Sequence, residues 1–199
     1  MLREGVAIDD PVGAVRGLVT SLWTYDADAA TAPASFGEPD LRFANRGGAR
    51  IAATQIAAIL ERRRAIERAL RTIPPDASLA ARSVQWPVLE QLFTAFGGIH
   101  GVGLSKMTKA LHPKRRALIP ILDSVIQSYL RHDDGGVGVP FAERAISLVR
   151  GYRRDLQLNR RALQVAQREL TRCGLVLTEV RILDLLIWSA QADWAPRSA

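Results

Sequence analysis

Gly101-Val102-Gly103 sits between two stretches of helical apolar periodicity, and that turn sets what this chain can become. Ahead of it, Trp86, Leu89, Leu92, Phe93 and Phe96 recur at helical spacing, with Ser83 as the expected cap and Gly97-Gly98 as the stop. Behind it, the pattern predicts a helix over Leu104 to Leu111, broken by Pro113. The glycines permit a tight turn at positive φ and leave backbone N–H groups bare enough to approach a phosphate. Twenty-two positions past Gly101 (123 minus 101), Pro120-Ile121-Leu122-Asp123 predicts a further helix over about 120–131 with an acid in its first turn.

The punctuation elsewhere is also helical, with no run of alternating β-branched residues, so the expected fold class is all-α. Asp10-Pro11 opens a helix through Val15, Leu18, Val19 and Leu22. Thr24 to Gly48, rich in Ala, Pro, Gly and Asp, reads as loop. One long helix is expected from about Ala49 to Arg71, ended by Pro74-Pro75. Further helices are expected over Pro140 to Tyr152, Asn159 to Cys173 with Gly174 as terminator, and Glu179 to Ala190 capped by Thr178. Within the last, Trp188 reads as core, and Asp184 stands out as an acid in an apolar helix, expected to pair with a neighbouring Arg.

At 199 residues and 48% hydrophobic the chain suits a single domain spanning 1–199. It begins MLREGVAIDDP, without an apolar leader, and no run approaches the ~18 apolar residues of a membrane span, so a cytoplasmic, monomeric protein is expected. Its one cysteine, Cys173, excludes a disulfide framework and a four-cysteine metal or cluster site. His100, His112 and His132 are too scattered for a metal site, so none is expected.

The net charge of +7 and pI near 10.4 favour an anionic partner. All three lysines, Lys106, Lys109 and Lys114, fall within nine residues beside Arg115 and Arg116, and no Asp or Glu lies between Glu90 and Asp123. Such a run alone is as consistent with a solvated helix face. Next to a phosphate-friendly turn it points to double-stranded DNA.

Gly101, Val102, Gly103 and Asp123 together resemble the motif of the helix-hairpin-helix DNA glycosylase superfamily, the group containing endonuclease III and the adenine glycosylase of oxidised mispairs. The stretches Gly101 to Val125 and Glu179 to Trp188 are also similar to a small actinobacterial family of unknown function. The superfamily resemblance implies a helix-hairpin-helix over about 86–112 that grips a DNA backbone through Gly101, Val102, Gly103, Ser105, Lys106 and Lys109. It implies Asp123 as the catalytic carboxylate, kept ionised by the helix dipole, stabilising an oxocarbenium-like transition state and orienting or deprotonating a water at C1′. The lysine that gives some members strand-nicking activity falls at Ser105 here, and Lys106 points about 100° away, so the resemblance is to a monofunctional glycosylase without lyase activity. No organic cofactor is implied; the hairpin carbonyls of that superfamily often hold a sodium or potassium ion.

Such an enzyme flips its target base into a pocket with aromatic walls. Trp23, Tyr25 and Trp86, with Asp26 as polar partner, are the expected lining. The substrate is expected to be a damaged or modified base in DNA repair, or a hypermodified phage base such as glucosylated hydroxymethylcytosine in antiviral defence. The alternative is a non-catalytic helix-hairpin-helix DNA-binding protein.

Overall fold

The computed structural model describes residues 1–19, 29–136 and 138–194. They form ten α-helices joined by loops and short 3-10 turns, and among the described residues there is no strand. The all-α expectation holds. No helix among them is long and apolar enough to cross a membrane.

Helix α1 (Pro11–Val19) starts where Asp10-Pro11 predicts, with the Asp10 carboxylate accepting from the Gly13 N–H at 2.8 Å. The segment expected to be loop instead contains α2 (Glu38–Arg46), whose Asp40 carboxylate accepts from the N–H of the preceding Gly37 at 2.9 Å. Its helical register was masked by Pro and Gly density, yet proline at the first turn promotes a helix start. The expected long helix is two, α3 (Ala53–Glu61) and α4 (Arg63–Thr72), separated at Arg62. Tertiary bonding accounts for the break: the Arg62 guanidinium donates to the Gly97 carbonyl at 2.5 Å, and its own amide turns back onto Ile59.

Helix α5 (Trp86–Thr94) begins after Gln85 rather than Ser83, which carries no cap role, and α6 (Leu104–Leu111) follows the glycine turn. Helix α7 (Ser124–Tyr129) is shorter than the expected 120–131. Pro120 to Leu122 lie outside it, with the Leu122 N–H donating to the Thr108 hydroxyl of α6 at 2.9 Å and the helix starting only after Asp123. Helix α8 (Phe141–Leu158) outruns its expected end at Tyr152, since buried Asp155 and Leu156 prolong its inward stripe. Helix α9 (Arg160–Arg172) stops before Gly174, at φ +81°, and α10 (Glu179–Trp194) closes the fold.

One apolar cluster joins all ten helices. Helix α5 packs on α4 and α8, α6 on α2, and α10 on α1, α7 and α9. The apolar face of α10 (Ile182, Leu183, Leu185, Leu186 and Ile187) is thereby buried from several sides. That packing brings α10 against the start of α7, where Asp123 stands.

The basic run divides sharply. Lys114 is buried in an ion pair with Asp40 at 2.8 Å, the two side chains being 0% and 3% exposed. Arg115 is 1% exposed and caps the carbonyls of Leu70 and Ile73 at the end of α4 and that of Pro33. Neither is a solvated cation. A charge run cannot reveal this, because α2 and the end of α4 supply the acceptors from distant sequence.

Candidate functional site

The glycine turn is real, and its two glycines differ. Gly101 sits at φ +71°, where a Cβ would fall 2.3 Å from the Gln55 side-chain nitrogen. Gly103, the residue capping α6, has φ −94° and ψ −179°, ordinary extended backbone, with open space where a Cβ would go. Only Gly101 therefore needs to be glycine for the fold, which corrects the expectation of positive φ at both. Gly101→Ala is expected to cost about 1–3 kcal/mol of stability while Gly103→Ala stays within about 0.5 kcal/mol, read from paired urea melts.

Side chains tie the turn down. Val102 is buried and its N–H donates to Ile99 at 3.0 Å, so neither its side chain nor its amide faces outward, contrary to the expectation for Val102. Lys106 donates to the Gly101 carbonyl at 2.9 Å and to Gln55 Oε1 at 2.8 Å, bracing the turn from α3. Gln55 in turn donates to the His100 carbonyl at 3.3 Å. No sequence signal marks Gln55, since its role depends on α3 lying beside the turn. Gly103 supplies no capping side chain, and Ser105 is half-buried in the first turn of α6.

Asp123 is the N-cap of α7, one residue outside the helix rather than in its first turn. Its Oδ1 accepts from the Ile126 N–H at 3.1 Å and its Oδ2 from the Trp188 indole N–H at 3.0 Å. Trp188 is thus a half-buried partner of Asp123, where pure core packing was expected. Burial raises the Asp123 pKa above its usual value, against the lowering by those two bonds and by the Lys109 ammonium. The dipole argument alone predicted the opposite direction, and desolvation overrides it.

Asp123 and Trp188 line a cavity of about 340 Å³ with Lys109, Ile121, Ile126, Arg181 and Asp184, and with Arg46-Gly47-Gly48 along one edge. This size is in the range of small-molecule sites. Gly47 and Gly48 reach it because Asn45 closes the loop after α2, accepting from the Ile51 N–H at 2.6 Å and donating to the Ile51 carbonyl at 2.9 Å. Lys109 donates to the Gly48 carbonyl at 3.5 Å, and burial lowers its pKa. Lys109 lies four residues after Ser105, on the same helix face, so the amine near Asp123 is one turn beyond the position that the superfamily resemblance marks. That spacing was a usable signal.

Trp86 does not line this cavity; it packs under the Arg150 guanidinium, 5.0 Å from the ring centroid. Trp23, Tyr25 and Asp26 lie outside the described residues. Asp184 reaches the cavity from α10; neither carboxylate oxygen has a hydrogen-bond partner, and the neighbouring Arg181 acts on it through its charge. Among the described residues no group of three His, Cys, Asp or Glu converges as a metal site.

Comparison with known proteins finds no match among curated proteins and none among solved structures. A family match covers residues 23–191, a span that includes the glycine turn, Asp123 and Trp188, and the chain belongs to that family, described as a family of unknown function (DUF6308).

Proposed function

We propose that this chain is a monofunctional DNA glycosylase, hydrolysing the N-glycosidic bond of a damaged or modified base. The observation that carries the reading is the Asp123 carboxylate, held by Ile126 and Trp188 in a cavity that Lys109 of α6, the helix after the glycine turn, also lines. A carboxylate there stabilises positive charge developing on a sugar, and its raised proton affinity suits it to take a proton from the attacking water. The Trp188 indole, its N–H committed to Asp123, supplies an aromatic wall for a flipped base. Arg46 and Lys109, which line the cavity, would meet flanking phosphates, and the α6 N-terminus beyond Gly103 would offer amides to the DNA backbone.

Treatment of the chain with duplexes carrying damaged and phage-modified bases, then with alkali, tests this. Strand breaks that appear only after alkali are expected. Binding that falls steeply with salt but leaves no alkali-labile site would make the chain a DNA-binding module. Gly103→Val is expected to weaken DNA binding about equally across sequences without lowering the melting temperature, because its backbone tolerates a side chain and only the phosphate approach is lost. A loss confined to one sequence contradicts that placement.

Monofunctional chemistry predicts that borohydride traps no covalent protein–DNA adduct. Lys109 is the amine to watch. An adduct that disappears in Lys109→Met would make the chain a lyase as well.

A further inference from the structure

Among the described residues, Asp184 is the one buried carboxylate with neither oxygen in a hydrogen bond. It is 1% exposed, set among the buried Ile182, Leu183, Leu185 and Leu186 of α10, although the residue lines the Asp123 cavity. An unpaired buried carboxylate is among the costliest features a core can hold, and an uncharged residue of the same shape would fit there at less cost. With both oxygens uncommitted within the fold and the residue lining a cavity, its carboxyl group is left for a ligand.

We infer that Asp184 is the acid that protonates the departing base, an inference that rests on the glycosylase reading. In this step the C1′–N bond breaks and its electron pair leaves with the base nitrogen, which takes the Asp184 proton. Water adds its oxygen to C1′ and gives one proton to Asp123. Asp123 then releases that proton as Asp184 takes one from solvent, so both return to their starting forms.

The surroundings keep the proton in place until it is needed. Desolvation pushes the Asp184 pKa up to about 8, Asp123 across the cavity adds to the rise, and Arg181 on α10, the Tyr152 hydroxyl from α8 and the Ile121 amide moderate it. Tyr152 donates elsewhere, to the Val180 carbonyl at 2.6 Å. Arg46 from α2 and Lys109 from α6 are the other charges on the cavity. At neutral pH Asp184 therefore keeps its proton beside an Asp123 that is held by two hydrogen-bond donors, a division of labour that suits an acid and a base.

The sign of the linked stability follows. The folded pKa lies above the ordinary 3.8, so stability is full below about 3.8 and is lost as pH rises toward about 8. Asp184→Asn needs no proton, and its melting temperature should exceed the parent's increasingly from acid to neutral pH.

Two measurements test the donor role. Carbon-13 carboxyl titration of the DNA-free chain, assigned by Asp184→Asn, should show Asp184 keeping its proton through neutrality; titration among the ordinary carboxylates overturns the inference and leaves the glycosylase reading standing. Single-turnover excision, on the duplex that the alkali panel identifies, should slow about tenfold per pH unit above roughly pH 8 in the parent. Asp184→Asn should be about 100-fold slower at neutral pH and lack that alkaline fall. A variant that keeps the parent's fall assigns it to another group, such as Lys109, and overturns the inference. If the parent excises no base, the function and the donor role fall together.

Discussion

Asp123→Asn is expected to slow base release by at least about 100-fold, roughly 2.7 kcal/mol of barrier, while the protein melts close to the parent temperature. Asparagine keeps the size of the side chain and its Oδ1 can still accept from the Ile126 N–H that starts α7. Its amide nitrogen cannot replace Oδ2 as acceptor for the Trp188 indole N–H, a loss of about 1 kcal/mol. Removing a carboxylate that burial already disfavours returns part of that loss. The fold is therefore nearly indifferent to the charge, whereas a developing cation is not. Single-turnover excision with melting curves run in parallel separates the roles. A variant that melts like the parent and excises within a few-fold of its rate reduces Asp123 to a helix cap, and the mechanism fails.

Lys114→Ala is expected to destabilise the protein by about 3–5 kcal/mol, enough to leave many single domains largely unfolded at moderate temperature. Lys114 bonds Asp40 and the carbonyls of Thr31 and Ala32, so its loss strands a buried carboxylate at the start of α2. Asp40 would retain the Gly37 N–H and the Thr31 hydroxyl at 2.7 Å, which keeps the cost from rising further. The double variant Lys114→Met with Asp40→Leu should recover much of the loss, because the penalty comes from the orphaned charge. Urea titration of the single and double variants measures it. If Lys114 were a DNA contact, the single variant would keep its stability and change the salt dependence of binding instead.

The same pair shows why some of the fold was legible and some was not. Local signals carried the α1 start at Asp10-Pro11, the α6 span and the α9 stop at Gly174, because caps, prolines and left-handed glycines act within a turn or two of themselves. They failed at Arg62, where a periodic apolar stripe runs on while a guanidinium reaches the carbonyl of Gly97 and divides the helix. They failed again at Pro120, where the Thr108 hydroxyl ties the Leu122 N–H to α6 and the helix starts only after Asp123. Each miss is a hydrogen bond between residues far apart in sequence, and periodicity holds no information about such partners.

For the candidate site the division is similar. The sequence by itself determined the helical class, a glycine turn with positive φ at Gly101, a carboxylate near the start of the helix after Pro120, and a basic stretch between them. Tertiary structure alone decided what surrounds that carboxylate. Packing of α10 on α7 delivered Trp188 and Asp184 to Asp123, the loop after α2 brought Gly47 and Gly48 to the same cavity, and burial reversed the expected direction of the Asp123 pKa. Packing also took Lys114 and Arg115 out of solvent and left Lys109 at the cavity. The physical reason is range: caps and turns are set by dihedral angles and neighbours in sequence, whereas desolvation and charge pairing depend on which distant surfaces meet.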